Sequence, residues 1–390
     1  MEYMKRILEK PLHHHLKRGK SILLLGPRQT GKTTLLSQLS VDKTITFMEP
    51  KIRQRYEKDP SLFTGEVKAL EQKLKKIPIV IVDEVQKVPA IFDCAQGLID
   101  QKNAQFIFTG SSARKLKRHD VNLLPGRVVS MRLDPFTDKE YKMTLKEQLL
   151  DGSLPGIAQI QSQEDREIDL RSYVETYLEE EIRAEALVRN IGSFLRFLEF
   201  AGLESGNIIN FHGLSREVGV NHTTITSYFE ILEDTLIAHR IDPIIKSSTR
   251  KKLTKSSRYL IFDLGVRRLC AAEGRMLGRE RLGYLFEQYI GLELIRYSHL
   301  SSGKTKIRFW RDPDGPEVDW VIEKDRKYIP IEVKWTDTPS MRDAKHLKVF
   351  LEEYKEATKG YIVCQTPFPV QIDKNIQAIS WKEVHQLIEG

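Results

Sequence analysis

Nine consecutive residues, Gly26-Pro27-Arg28-Gln29-Thr30-Gly31-Lys32-Thr33-Thr34, contain the G-x-x-x-x-G-K-[ST] spacing that cradles polyphosphate. The two glycines let backbone N–H groups curl toward an anion, and a following helix adds the positive end of its dipole. Lys32 is placed to reach the β- and γ-phosphates of ATP, and the Thr33 hydroxyl to bind Mg²⁺. The context fits: an apolar run, Ser21 to Leu25, precedes the loop as a strand, and Lys32 to Leu39 follows as a helix.

A second apolar run, Ile77 to Val82, ends in Asp83-Glu84. A buried strand of this kind delivers both acids to the edge of a parallel sheet, beside the phosphate loop. Asp83 is expected in the Mg²⁺ shell, and Glu84 as the base that orients and deprotonates the attacking water. A third run, Gln105 to Thr109, leads into Gly110-Ser111-Ser112, where Ser111 is the hydroxyl expected to sense the γ-phosphate. Arg127, in Leu124-Pro-Gly-Arg-Val128, is a candidate arginine finger for a neighbouring subunit. Arg114 and Arg118 are rivals, and a structural ion pair is the alternative.

Near the C-terminus, Glu287 lies in a helical stretch, Asp319 in a strand, and Glu332-Val333-Lys334 in the next strand. The two-residue period puts Glu332 and Lys334 on one face. Their order and spacing resemble the PD-(D/E)xK nuclease core. Three carboxylates, Glu287, Asp319 and Glu332, are the expected ligands of Mg²⁺ or Mn²⁺, with Lys334 steadying water or developing charge. A solvated strand edge, or a fold that binds DNA without cutting it, is the alternative.

Between these regions, Leu214 to Leu232 reads as a helix-turn-helix with its turn at Gly219 and an N-cap at Asn221. Ile225, Phe229 and Leu232 face inward. His222, Thr223, Thr226 and Ser227 are left for a DNA groove, and Arg250, Lys251, Lys252 and Lys255 in the following loop for phosphates. Strands at Ile241–Ile245 and Tyr259–Phe262 make the unit similar to a winged helix, which in ATPases also packs against protein.

These motifs need a scaffold of several domains, and 390 residues supply it. We expect an α/β protein with a P-loop ATPase domain over 1–150, a helical and winged-helix domain over 151–275, and an α/β domain over 276–390. The last part should hold a helix at Leu282–Tyr297, strands at Ile307–Trp310, Val318–Glu323 and Ile329–Val333, and a closing helix-strand-helix pattern. The formal charge is +8, and residues 1–150 hold 28 Lys/Arg against 17 Asp/Glu, a balance that suits DNA as well as solubility. No apolar run approaches the length of a membrane span, and the first residues lack a secretory core. A cytoplasmic address is expected, with Cys94, Cys270 and Cys364 as reduced thiols and His13–His15 on a surface helix.

Leu25-Gly-Pro-Arg-Gln-Thr-Gly-Lys-Thr-Thr34, Val82-Asp-Glu-Val-Gln-Lys-Val-Pro89, Phe108-Thr-Gly-Ser-Ser112 and Pro125-Gly-Arg127 together resemble prokaryotic AAA+ superfamily ATPases with a C-terminal domain of unknown function. The resemblance continues through Tyr173-Val-Glu-Thr-Tyr-Leu178, the helix-turn-helix and Phe262-Asp-Leu-Gly265. It implies an AAA+ core, a winged helix and a restriction-endonuclease-like terminal fold. The resulting expectation is an oligomeric ATPase that couples turnover to DNA remodelling or cleavage, in recombination, repair or mobile-element defence. The alternative is a nucleotide-switched interaction protein whose terminal fold only binds.

Overall fold

The computed structural model describes residues 3–112, 124, 126–178, 191–245, 256–301, 303–312 and 315–389. The chain divides into two compact units, Met1–Asp134 with Asp234–Ile237, and Pro135–Glu233 with Ala238–Gly390. The first unit thus closes at Asp134, before the turn near residue 150, and the segments 151–275 and 276–390 contribute to one compact body.

In the first unit, continuous apolar runs form the interior strands of a parallel sheet, as burial on both faces requires. Its strands are β1 (Ser21–Leu25), β2 (Lys43–Thr46), β3 (Ile79–Asp83), β4 (Gln105–Gly110) and β5 (Val128–Arg132), in the order β2-β3-β4-β1-β5. Helix α1 (Glu9–Lys17) carries His13 and His14 on its exposed side, as expected. Helix α2 (Lys32–Leu36) follows the phosphate loop. Helices α3 (Pro50–Lys58), α4 (Ser61–Leu74) and α5 (Ile91–Asp100) complete the unit, and Phe63, Val67, Phe92 and Leu98 pack on Val80, Val82, Phe106 and Phe108 of the sheet.

In the second unit, α6 (Leu145–Asp151) begins at a capping box made by Thr144 and Glu147. It is followed by α7 (Pro155–Ala158), α8 (Gln163–Ser172) and α9 (Ile191–Leu203). The helix-turn-helix is α10 (Phe211–Val218) and α11 (His222–Asp234), followed by the antiparallel pair β6 (Ala238–Ile241) and β7 (Arg258–Ile261). Helix α12 (Leu264–Cys270) is capped by Asp263, whose carboxylate accepts from Gly265 and Val266 N–H and from Ser153 N–H.

Helix α13 (Arg279–Leu300) lies across a six-stranded sheet of β8 (Thr305–Arg311), β9 (Glu317–Lys324), β10 (Lys327–Val333), β11 (Gly360–Cys364), β12 (Val370–Asp373) and β13 (Ile376–Ser380), ordered β12-β13-β11-β10-β9-β8. Strands β8 to β10 form an antiparallel meander, while β10, β11 and β13 run parallel. The expected single strand between two closing helices is instead three strands, between α14 (Lys345–Glu353) and the short α15 (Gln386–Glu389). The hairpin was hidden because Val370–Asp373 lacks a buried face. Gly291 lets α13 approach the sheet closely: a Cβ there would stand 2.4 Å from the Trp320 ring.

A buried polar hub joins the middle segments to α13. Arg296 donates to the carbonyls of Phe136 and Phe262 and to Glu293, whose other oxygen accepts from Asp138 N–H. Such groups must be paired when removed from water, so the hub fixes these segments in one body. No helix among the described residues is long and apolar enough to cross a membrane.

Candidate functional site

The phosphate loop leaves β1 at Leu25 and is shaped by three constraints. Gly26 sits where a Cβ would stand 2.3 Å from the Leu133 carbonyl oxygen, so no larger residue fits. Gln29 and Gly31 take left-handed backbone angles, φ 61° and 89°, which Gly31 adopts without a steric penalty. Thr30 donates to the Pro27 carbonyl at 2.8 Å and closes the loop on itself. Lys32 is buried at the start of α2, and its Nζ donates to the carbonyls of Gly26 at 2.7 Å and Pro27 at 2.9 Å. Pro27 is buried and Arg28 half-buried, while Gln29, Thr33 and Thr34 are exposed on the loop and the first turn of the helix.

Arg6, which no motif marks, holds this loop from outside. It is 5% exposed, and its guanidinium donates to the Thr30 carbonyl at 2.8 Å and the Asp134 carbonyl at 2.7 Å. Charge-assisted bonds to buried carbonyls contribute roughly 1.5–3 kcal/mol each. Its position in the sequence offers no signal, because the contact joins the N-terminal segment to loops far along the chain.

Asp83 and Glu84 stand at the end of β3, but the neighbour of β1 is β4, which lies between them. The two acids therefore reach the loop's end of the sheet through side chains of β4. Thr109 Oγ1 donates to Asp83 Oδ1 at 2.5 Å and accepts from Glu84 N–H at 3.1 Å. Thr46, at the end of β2, donates to Asp83 Oδ2 at 3.1 Å. Glu84 has φ 55°, an uncommon conformation for a residue with a side chain, and its Oε2 accepts from Ser111 Oγ at 3.1 Å and Gln86 Nε2 at 2.5 Å. Ser111 is thus joined to Glu84, and Thr46, Gln86 and Thr109 complete the set.

Arg127 is elsewhere. It forks Asp100 at 2.6 and 2.9 Å, just before β5 and beside the end of α5. Strands β1 and β5 pair in parallel from Ser21 and Val128, so this is the end of the sheet opposite the phosphate loop. Arg114 and Arg118 lie outside the described residues, as do Arg250, Lys251, Lys252 and Lys255.

The helix-turn-helix forms as read. Asn221 accepts from Thr224 N–H at 2.7 Å, and Gly219 closes α10 with φ 79°. Ile225, Phe229 and Leu232 are buried, whereas His222, Thr223, Thr226 and Ser227 are exposed. One face is therefore available to a partner.

At the end of the terminal sheet, Glu287, Asp319, Glu332 and Lys334 come into one neighbourhood. Ile331 pairs with Trp320 as the last partners of the β9–β10 ladder, and Asp319 Oδ2 then accepts from Val333 N–H at 2.8 Å. Lys334 Nζ stands 2.6 Å from Glu332 Oε1, while Glu332 Oε2 is buried without a hydrogen-bond partner. Burial raises the proton affinity of all three acids, reinforced by neighbouring carboxylates: Glu287 is pushed up to about 8, and Asp319 and Glu332 upward. Lys334 is pushed up to about 12 by the carboxylates around it, against the effect of burial.

Glu287, Asp319 and Glu332, expected from the sequence as metal ligands, are near neighbours but are not closed onto one point. Among the described residues, no group of three or more His, Cys, Asp or Glu side chains is arranged to hold a metal ion. Asp319 accepts from Val333 N–H and Glu332 pairs with Lys334, each a partner from the strands themselves. Arg258 of β7 meets Glu287 instead, at 3.1 Å from its Oε1, and also donates to the Asp319 carbonyl at 3.3 Å.

Comparison with known proteins agrees with the first unit and is silent on chemistry in the second. Residues 18–142 match a family model described as an AAA domain. Residues 142–275 and 282–384 match models described only as domains of unknown function. An uncharacterized protein of Mycobacterium tuberculosis is 26% identical over 337 residues, covering 85% of this chain and 74% of that protein. An uncharacterized protein of Haemophilus influenzae is 20% identical over 366 residues, covering 86% and 87%. Among solved structures, the Aeropyrum pernix ORC1 protein in complex with DNA is 12% identical, covers 70% of this chain and 93% of that one, and has a TM-score of 0.31, too low to bear on this chain's function.

Proposed function

We propose that this protein is a Mg²⁺-dependent ATPase that acts on DNA, with nucleotide turnover in the first unit and DNA contact in the second. The AAA-domain match over residues 18–142 supports a nucleotide-dependent activity. The observation that carries the ATP assignment is the hydrogen-bonded set Asp83–Thr109–Glu84–Ser111 at the same end of the sheet as a loop whose Gly26 admits no side chain.

The residues present fit the nucleotide and its ion. Gly26, Pro27, Arg28, Gln29, Thr30 and Gly31 would supply the backbone cradle. Lys32 would exchange its carbonyl partners for phosphate oxygens. Thr33 and Asp83 would hold Mg²⁺, which neutralises phosphate charge when bound, and Thr34 would extend the same helix start. Glu84 would take the proton of the attacking water, with Gln86 and Ser111 setting its orientation. Ser111, which donates to Glu84, would report phosphate occupancy to it. Arg127, remote from its own loop, would act on a neighbouring copy in a homo-oligomer.

DNA contact rests on the exposed set His222, Thr223, Thr226 and Ser227 on α11, with Arg250, Lys251, Lys252 and Lys255 as the phosphate contacts read from the sequence. Cleavage by Glu287, Asp319, Glu332 and Lys334 is a second reading, favoured by their convergence at one sheet end. We assign the three parts as 1–150, 151–275 and 276–390, in keeping with the extents of the three family models. The test is to incubate purified protein with duplex, single-stranded and branched DNA, with and without ATP and Mg²⁺ or Mn²⁺, following ATP hydrolysis and strand cleavage together. DNA-stimulated hydrolysis is expected. Hydrolysis indifferent to every DNA, with no salt-sensitive DNA affinity, would favour a nucleotide-switched interaction protein.

A further inference from the structure

Arg258 is a buried charge at the acidic end of the terminal sheet. It is 4% exposed at the first position of β7, paired with Ile241 across the ladder and bridged to Ile208. Its guanidinium lies 4.4 Å from the centroid of the Phe309 ring, within the range of a cation–π contact. Nη1 faces Glu287 and the Asp319 carbonyl, and Nη2 stands 3.9 Å from Glu317. Glu317 is shared with Arg311 at 3.1 Å. Among the described residues, Arg258 and Lys334 are the cations in contact with the three acids.

We propose that Arg258 is the resident cation of this acidic cluster and closes it to divalent metal while β7 is seated. A guanidinium carries fixed charge and donors in a planar fork. It can neutralise Glu287 and tie it to the Asp319 backbone, but it leaves Glu332 Oε2 without a partner. A divalent ion could serve all three carboxylates, and it would need the Glu287 oxygen that Arg258 now holds. Removing the guanidinium leaves half-buried Glu287 and buried Asp319 and Glu332 beside Lys334, and an oxygen-seeking divalent cation is the natural compensation. Glu332 Oε2, buried and unpartnered, is the acceptor already waiting for such an ion.

This inference stands apart from the DNA reading: a chain that binds no DNA leaves it intact. It is tested by Mn²⁺ binding, followed by electron paramagnetic resonance and calorimetry, in full-length protein carrying Lys32→Ala and without nucleotide, so that the phosphate loop does not contribute. With Arg258 present, no saturable site is expected. With Arg258→Ala, one Mn²⁺ per chain should bind at least tenfold more tightly, raise the melting temperature and be lost again on adding Asp319→Asn. Arg258→Lys should behave as the parent. If Arg258→Ala is poorly folded, Mn²⁺ should restore it, and Arg258→Met, which keeps the apolar contact with Phe309, gives the same reading in a better-packed background. Asp319-dependent Mn²⁺ binding with Arg258 intact would overturn the proposal. So would the absence of any Mn²⁺ site in both folded variants, or an unfolded alanine variant that Mn²⁺ does not rescue alongside a methionine variant that binds none.

Discussion

The phosphate loop and the acidic end of the terminal sheet both concentrate charged side chains at strand ends, yet they are built differently. In the loop, the charged group and its immediate partners come from one short stretch: Lys32 is held by Gly26 and Pro27, and Thr30 by Pro27. In the acidic cluster, apart from the local Glu332–Lys334 pair, the contacts join separate elements. Arg258 of β7 meets Glu287 of α13 and the backbone of Asp319 in β9, and Asp319 meets Val333 in β10. A locally closed site can be recognised from spacing, whereas a cluster closed by remote partners can be re-purposed by a single residue outside the pattern.

The largest effects should come from the first site. Lys32→Ala is expected to weaken ATP binding roughly 100-fold, the loss of charge-assisted bonds to phosphate, as read by fluorescent-nucleotide titration. Glu84→Gln should retain binding and lower turnover by about 10²–10⁴-fold, the range for a general base; undiminished hydrolysis would remove Glu84 from that role. Arg6→Met comes next. Leaving the Thr30 and Asp134 carbonyls unsatisfied should cost about 1–3 kcal/mol in urea unfolding and loosen nucleotide binding together with stability. If neither changes, Arg6 does not hold the loop.

The acidic cluster should reveal itself through pH. Glu287 is pushed up to about 8 in the folded protein from an ordinary 4.5, chiefly by burial and then by Asp319. A carboxyl raised in this way contributes stability that is fully present below pH 4.5 and is lost as pH rises toward 8. The melting temperature of the parent relative to Glu287→Gln should therefore fall across that window. A difference that stays level would show that Glu287 ionises freely.

Arg127→Ala is expected to act least on its own chain, because its partner Asp100 is a surface residue far from the loop. If Arg127 serves a neighbouring copy, mixing Arg127→Ala with Glu84→Gln subunits should restore part of the ATPase activity. Full activity of Arg127→Ala alone, in a protein that is monomeric at all concentrations, would end that role.

Much of the first site and of the helix-turn-helix was legible in advance. Strand β1 begins and ends at the residues read, and the exposed and buried sets of α11 are those assigned from its period. The strands of the terminal meander were also recognised, though shorter than they are. The hairpin of β12 and β13, the strand β2 and the helices α3 to α5 were not, because their burial is partial or their apolar residues are spread among charges. Nor did any pattern point to Arg6 or Arg258, whose partners lie far along the chain.

By itself, the sequence determined the loop, the acids that follow β3, the order of elements around α11 and the pairing of Glu332 with Lys334, since each depends on neighbours in one strand, turn or helix face. Tertiary structure alone decided that β4 stands between the phosphate loop and Asp83, that Thr109 and Ser111 bridge that gap, and that Arg127 turns to Asp100. It also decided that Arg258, remote in the chain, meets Glu287 and the Asp319 carbonyl. Those outcomes depend on sheet order and on which remote elements meet. Both are fixed by packing among distant segments, and local periodicity carries no record of that packing.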